Sequence, residues 1–152
     1  MKNQKSIPKW FSEAISQTPK IKSVKVRGIN IKYNVWGDDS NPGIIFVHGG
    51  MAHADWWNFI APYFLKTHRV IAMNLGGMGD SDWRNEYSIE LWGVEIEEVC
   101  KKEKLKKPII IGHSLGGMCG VYAASIMKRS LYGLVIVDTA ILPPSDQPPK
   151  FD

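Results

Sequence analysis

Ser114 is the residue whose surroundings point most directly to chemistry. It lies in the hexapeptide Gly112-His113-Ser114-Leu115-Gly116-Gly117, which follows the pattern G-x-S-x-G. The apolar run 107–111 before it predicts a buried strand, and the small apolar residues 118–128 after it predict a packed helix. A serine at a sharp strand-to-helix turn holds its hydroxyl clear of the backbone. The chemistry indicated is nucleophilic catalysis, and the alternative is a glycine-rich corner with an incidental serine.

The flanking glycines have physical roles in this interpretation. Gly112 and Gly116 carry no side chains, so the tight turn can form and the helix can approach the strand. The amino end of the following helix directs N–H groups at any oxyanion that forms beside Ser114.

Composition narrows the class of protein. The 152 residues are 44% apolar and 22% charged, which is typical of one soluble globular domain. The net charge is +4, but the basic residues are scattered or lie in the stretch 101–107, where they favour a solvated helix end over a phosphate or lipid site. The sequence contains no basic stretch interleaved with aromatic residues, so it does not indicate a nucleic-acid partner.

Other classes lack their signatures. Cys100 and Cys119 match neither a metal pattern nor a disulfide framework, so both are predicted to be reduced, and no metal or cofactor is expected. The sequence has no apolar signal-peptide core and no run of membrane-spanning length. We therefore expect a cytoplasmic protein without a membrane partner.

Strand and helix patterns alternate along most of the chain. They predict an N-terminal arm with a short helix at 10–15, a β-hairpin, four buried strands, two long helices and a proline-rich tail. The hairpin covers 21–26 and 29–36, and the strands cover 44–47, 69–73, 107–111 and 134–137. The helix before the third strand runs from 88 to about 105 and the helix after it from 118 to 128, and a further helix at 56–66 is bent or interrupted by Pro62. This order predicts an α/β fold with a mostly parallel sheet covered by helices on both faces.

The unusual loops all follow strands. His48-Gly49-Gly50 ends one strand, the glycine-rich stretch 74–82 ends the next, and Ser114 and Asp138 end the last two. Ligands of parallel sheets bind beyond the carboxyl ends of the strands. The sequence therefore predicts a site at that edge of the sheet.

These motifs resemble those of the α/β-hydrolase superfamily in order and spacing. The matching segments are 47–50, 74–82, 112–117 and 134–138, and the resemblance covers about 21–142. We accordingly expect an arm at 1–20, a partial α/β-hydrolase core at 21–142, and a tail at 143–152 leading toward a lid or C-terminal part.

The resemblance implies a serine hydrolase that cleaves an ester or related acyl bond of a small molecule. Ser114 would be the nucleophile, and the backbone N–H groups of Gly50 and Leu115 would form the oxyanion hole. His48 resembles a histidine that positions its loop rather than a base. The residues that shape the site would be His48, Gly49, Gly112, His113 and Gly116.

The same resemblance leaves the catalytic base unassigned. The family's base is a histidine after the last strand, oriented by an acid, whereas all four histidines of this chain precede Ser114. Asp138 stands where some members carry the acid and most carry a structural Asp. The base and acid are thus expected outside these residues, and the chain alone is expected to be inactive or very weak.

An apolar strand at 134–137 would form an uncovered sheet edge, which proteins avoid because such edges aggregate. We therefore expect the N-terminal part of a larger domain, or self-association through this edge. Two other functions remain open: a catalytically incomplete remnant or binding module, and an acyltransferase or perhydrolase using the same serine.

Overall fold

A computed structural model of the protein describes residues 7–140, so the predicted tail at 143–152 lies outside the described residues. Six strands form one mixed sheet in the order β1-β2-β4-β3-β5-β6. The strands are β1 Lys20–Val26, β2 Ile29–Trp36, β3 Gly43–Val47, β4 Arg69–Met73, β5 Ile109–His113 and β6 Gly133–Val137, and the helices are α1 Lys9–Ile15, α2 Ile89–Lys102 and α3 Leu115–Met127. The predicted α/β architecture is confirmed.

The hairpin and the parallel strands form the two parts of the sheet. β1 pairs with β2 and β2 with β4 in antiparallel fashion, whereas β3 pairs in parallel with β4 and β5, and β5 with β6. The two hairpin-turn residues Arg27 and Gly28 both have positive φ, as a two-residue turn that follows the strand twist requires. The carboxyl ends of β3, β4, β5 and β6 therefore share one edge.

The core lies on both faces of the sheet. β3 and β4 are buried at every position, which explains their continuous apolar sequences. One face is covered by α2 and α3, and the other packs under two 3-10 turns, Ala54–Trp57 and Ala61–Phe64. Trp57 is in that second core, where its ring stacks on Phe46 at 4.6 Å between centroids.

Two helix predictions differ from the structure. The α-helix predicted at 56–66 is wrong: the segment is interrupted and forms the two separate 3-10 turns, with Pro62 in the first turn of the second. α2 ends at Lys102, short of the predicted 105, because Lys104 takes a φ of 53° and the Leu105 N–H donates to the Cys100 carbonyl. The lysine-rich stretch 101–107 is therefore part helix end and part loop.

β6 is an edge strand of the sheet. Within residues 7–140 no strand pairs with its outer side, and Val135 and Val137 are exposed. No helix in the same part of the chain is both long and apolar enough to cross a membrane.

A buried ionic cluster joins α2 to the amino end of β4, at the end of the sheet opposite the predicted site. The Glu103 carboxylate accepts hydrogen bonds from Lys22 at 2.8 Å, from the Tyr33 hydroxyl at 2.7 Å and from the Arg69 guanidinium. Burial acts to raise the pKa of Glu103, but those hydrogen bonds and the charge of Arg69 outweigh it and hold the pKa below its ordinary value.

We expect the variant Glu103→Ala to lose about 3 kcal/mol of unfolding free energy, because it removes the buried carboxylate beside Arg69 and leaves only the exposed Asp39 carboxylate, at 3.0 Å, as its ionic partner within residues 7–140. A carboxyl whose pKa is lowered by folding stabilises the protein above its unfolded pKa, and that stability is lost as the pH falls through the folded value. The unfolding free energy of the variant should therefore fall less steeply than that of wild type as the pH is lowered. Urea titrations between pH 3 and pH 7 measure both effects, and Glu98→Ala, which removes only a surface pair with Lys101, is the matched control.

Candidate active site

Ser114 lies at the turn between β5 and α3 in a backbone conformation that is rare for a residue with a side chain. Its φ is 50° and its ψ is −117°. The Ser114 N–H donates to the Val137 carbonyl at 2.9 Å, and the Ser114 carbonyl accepts from the Thr139 hydroxyl and the Gly117 N–H, each at 2.9 Å. Two residues at the end of the neighbouring strand thus help to hold the strained turn in place.

The glycines around Ser114 allow a close approach of strand and helix. A Cβ atom on Gly116 would stand 2.4 Å from the Val47 carbonyl oxygen, and one on Gly112 would stand 2.3 Å from the Gly116 carbonyl oxygen. Both obstacles are backbone atoms, which cannot turn away as a flexible side chain can. α3 can therefore begin directly over the ends of β3 and β5 only where both positions lack a side chain.

The loop after β3 faces the start of α3 across Ser114. A Cβ atom on Gly49 would lie 3.3 Å from the Ser114 Cβ, and one on Gly50 would lie 3.9 Å from the Leu115 Cδ2. Leu115 is the first residue of α3, so its N–H has no partner within the helix. In the region 7–140 neither the Gly50 nor the Leu115 N–H donates a hydrogen bond, so both donors are available to a ligand.

His48 holds this loop from below. It is completely buried, and its Nε2 accepts a hydrogen bond from the Leu75 N–H at 3.1 Å. The proton must therefore be on Nδ1, which donates to the Gly49 carbonyl at 2.7 Å. Burial lowers the pKa of His48, so the ring is neutral and ties the loop after β3 to the loop after β4.

The loop 74–82 is fixed by its own side chains. The Asn74 Oδ1 accepts from the Ala54 N–H at 2.6 Å, and the Ser81 hydroxyl donates to the Asn74 carbonyl at 2.8 Å. Asp82 accepts from the backbone N–H of Asn30 at 2.9 Å. These bonds attach the loop to the first 3-10 turn and to β2.

The histidines nearest the site have other partners. The ring of His113 is nearly parallel to that of Trp56, with 6.4 Å between centroids, and Trp56 is half exposed beside the site. His53 lies 3.6 Å from the Asp55 carboxylate. His68 precedes β4 at the opposite edge of the sheet. Throughout the described ranges no histidine forms a hydrogen bond with Ser114.

Asp138 follows β6 directly, at the same edge of the sheet as Ser114. It has a φ of 49° and an exposed side chain. It makes no hydrogen bond or ion pair with any residue from 7 to 140. The structure thus brings Ser114, Gly49, Gly50, Leu115 and His113 together, and it places Asp138 nearby without a histidine partner.

Two residues at the site carry no signal in the sequence. Thr139 binds the Ser114 carbonyl, and Glu95, in the middle of α2, accepts from the N–H of Gly76 at 2.8 Å. A buried glutamate in an amphipathic helix and a threonine after a strand look ordinary until the fold brings them to the loops. The residues described also include no group of three or more carboxylate, thiol or imidazole side chains placed to hold a metal ion.

We expect Gly50→Ala to fold normally and to react slowly. The nearest atom to the new methyl group would be 3.9 Å away, which is ordinary contact, and the φ of Gly50 is not in the left-handed region. If Gly50 and Leu115 form the oxyanion hole that the resemblance implies, the methyl would crowd a substrate oxygen that approaches the Gly50 N–H, and acyl transfer should slow roughly tenfold or more. Thermal unfolding and ester turnover of the protein encoded by the whole reading frame that contains these residues measure the two effects separately, and an unchanged rate would contradict this position for the oxyanion.

Comparison with known proteins identifies the family of this chain. The profile of the family described as the alpha/beta hydrolase fold matches residues 42–152. Human epoxide hydrolase 4 is 24% identical over 118 residues, which are 76% of this chain and 33% of that protein. An esterase of Mycobacterium tuberculosis is 30% identical over 105 residues, which are 68% of this chain and 34% of that protein.

Solved structures give the same result. The thioesterase domain from the curacin biosynthetic pathway superposes with a TM-score of 0.75 at 24% identity, covering 85% of this chain and 49% of that one. The match therefore spans about a third of the length of these two curated relatives and about half of this structural neighbour. From its sheet, its loops and the profile match, the chain belongs to the α/β-hydrolase fold family.

Proposed function

We propose that Ser114 is the nucleophile of a hydrolase that cleaves an ester or a related acyl bond of a small molecule. The observation that carries this proposal is the conformation of Ser114: a strained serine between a strand and a helix, beside two backbone donors that have no partner within residues 7–140. Strain of this kind persists where the surrounding structure holds it, and it concentrates at functional sites.

The proposed reaction begins with attack on the acyl carbon. The Ser114 oxygen forms a bond to that carbon and loses its proton to a general base, while the carbonyl oxygen takes the negative charge. The N–H groups of Gly50 and Leu115 would then donate to this oxyanion. Collapse of the intermediate expels the alcohol, which takes a proton, and leaves an acyl group on Ser114. Water then attacks that acyl group, the bond between the acyl carbon and the Ser114 oxygen breaks, the carboxylic acid is released, and the serine oxygen takes back a proton from the base.

We infer that the general base comes from residues outside the range 7–140. Each of the four histidines within residues 7–140 has another neighbour. His48 binds the loop after β3, and the His113 ring lies parallel to that of Trp56. His53 lies beside the Asp55 carboxylate, and His68 lies at the opposite end of the sheet. A serine without a base within hydrogen-bond reach is a weak nucleophile. We therefore propose that the histidine and the acid lie in a part of the domain that its relatives have and this chain does not span.

The names of relatives support the acyl bond as the target. An esterase and a thioesterase domain, among the proteins similar to this chain, both act on acyl carbons by their names. An epoxide hydrolase is also similar, so the family alone does not decide the reaction. Cleavage of an acyl bond is favoured because the two free N–H groups suit the oxyanion of an acyl transfer.

The test is rapid-mixing kinetics with p-nitrophenyl butyrate and the protein encoded by the whole reading frame that contains these residues. We expect turnover, with early release of about one nitrophenol per enzyme if loss of the acyl group is slow. The control variant Ser125→Ala removes an exposed hydroxyl of α3 that bonds only the Tyr122 carbonyl, so it should behave like wild type. A folded protein without turnover would support an incomplete hydrolase or binding module instead.

A further inference from the structure

Glu95 is a buried carboxylate that the proposed reaction does not use. It lies in the middle of α2, is completely buried, and raises the question of why a charged group occupies the core. Burial raises the pKa of Glu95, whereas the Gly76 N–H and the Arg84 guanidinium act to lower it. An apolar side chain would fill the volume at lower cost, so what the carboxylate adds is its directed hydrogen bonds.

Those bonds hold one residue of the loop 74–82 from both sides. The Glu95 Oε2 accepts from the Gly76 N–H at 2.8 Å, and the Trp92 Nε1–H donates to the Gly76 carbonyl at 3.1 Å. Trp92 and Glu95 are three residues apart on α2, so they lie on one face of the helix. A Cβ atom on Gly76 would stand 2.6 Å from the Glu95 Oε1, so only glycine lets the backbone come this close.

Gly76 is connected through its neighbour Leu75 to the loop after β3, which carries Gly50. Leu75, which precedes Gly76, donates its N–H to His48 at 3.1 Å, and His48 donates to the Gly49 carbonyl at 2.7 Å. The next N–H along the chain is that of Gly50. Hydrogen bonds and short covalent steps therefore connect Glu95 continuously to a donor of the oxyanion hole.

We propose that Glu95, held by Arg84, is a positioning residue for the oxyanion hole: it fixes Gly76 and, through Leu75 and His48, the N–H of Gly50. The proposal rests on the proposed function. A loop anchored at its backbone keeps the donor where charge develops in the transition state, so no reorganisation is needed during the reaction. Loss of the hydrogen bonds to Gly76 would reduce the stabilisation of the transition state more than it reduces the affinity for substrate.

The test compares Glu95→Gln with wild type in the protein encoded by the whole reading frame. Glutamine keeps the volume and an acceptor, but it loses the charge that holds Arg84 and strengthens the bond to Gly76. We expect kcat for ester hydrolysis to fall roughly tenfold or more with KM within about twofold, because an oxyanion donor acts mainly on the transition state. The control is Glu98→Gln, on the solvent side of the same helix.

Amide hydrogen exchange gives a readout that does not depend on activity. In Glu95→Gln the Leu75 and Gly76 amides should exchange at least about tenfold faster, while amides in the β1–β2 hairpin should keep their wild-type rates. Equal kcat in the two variants, or unchanged exchange at Leu75, would overturn the proposal. Without turnover in wild type the proposed function fails, and the exchange at Leu75 still decides whether Glu95 holds the loop.

A second variant covers the case in which Glu95→Gln does not fold. Trp92→Phe removes the hydrogen bond to the Gly76 carbonyl and part of the packed ring system, but it keeps a ring to stack on Tyr87, whose centroid is 5.7 Å from that of Trp92. It should lower kcat and speed exchange at Gly76 in the same direction. A folded Trp92→Phe protein with wild-type kcat and exchange would contradict the anchoring of this residue.

Discussion

Replacing Gly116 with alanine is expected to destabilise the fold by at least about 3 kcal/mol, the upper part of the range for overpacking a core. The new Cβ would stand 2.4 Å from the Val47 carbonyl oxygen and 2.6 Å from that of His48. Both oxygens belong to the backbone of β3 and the residue after it, and β3 is paired with a strand on each side. Relief would require α3 to move away from the sheet.

Urea unfolding of the variant and of Gly133→Ala tests this expectation. A methyl group added at Gly133 would meet no atom within 4 Å, and the φ of this residue is not positive, so the replacement should change stability by less than about 0.5 kcal/mol. If the two variants unfold at the same urea concentration, the close approach of α3 to β3 is not what the glycine at 116 provides.

The second large effect concerns the strain at Ser114. With a φ of 50° and a ψ of −117°, a Cβ at this position costs about 1–3 kcal/mol, and glycine avoids that cost. We therefore expect Ser114→Gly to be more stable than Ser114→Ala by about 1 kcal/mol, although glycine is usually the less stable choice next to a helix. Ester turnover should be lost in both variants by several orders of magnitude.

This order of stabilities distinguishes a strained nucleophile from an ordinary helix cap. Ser114 makes no side-chain capping bond to α3, so its hydroxyl contributes nothing there that alanine would remove. Differential scanning calorimetry of the two variants measures the difference. If Ser114→Ala is as stable as Ser114→Gly, the turn is not strained, and its conformation no longer marks a functional serine.

The sequence predicts the sheet well because its signals are local and periodic. Two alternating runs around Arg27-Gly28 specify the hairpin, and four apolar runs specify the buried strands. At 56–66 the spacing of the apolar residues fits an α-helix, whereas Pro62 favours the interruption that the structure shows as two short turns. Packing of Trp57 under β3 then decides between them, and packing is not local.

The residues of the candidate site also fall into those that local sequence motifs predict and those that only the folded chain brings together. Ser114, Gly49 and Gly50 could be found from motifs, because each motif specifies a backbone turn. Thr139 and Glu95 could not, because each acts on a loop that only the folded sheet brings near. The positive φ of Asp138, one residue after the partner strand, is likewise invisible in the sequence.

The dependence of Ser114 on β6 has a consequence for stability at the site. The Ser114 N–H and carbonyl are bound by residues at the end of an edge strand whose outer side has no strand neighbour in the range 7–140. Edge strands are among the less protected parts of a sheet. A segment that pairs with the outer side of β6 should therefore also rigidify the turn that carries Ser114.

The central claim is that the Ser114 hydroxyl is a nucleophile, and covalent labelling tests it most directly. The protein encoded by the whole reading frame is treated with a fluorophosphonate, digested and analysed by tandem mass spectrometry. We predict one phosphonyl group, located on Ser114, with no adduct in Ser114→Ala and a normal adduct in Ser125→Ala. A folded protein that stays unlabelled, or one labelled at another residue, would contradict this claim.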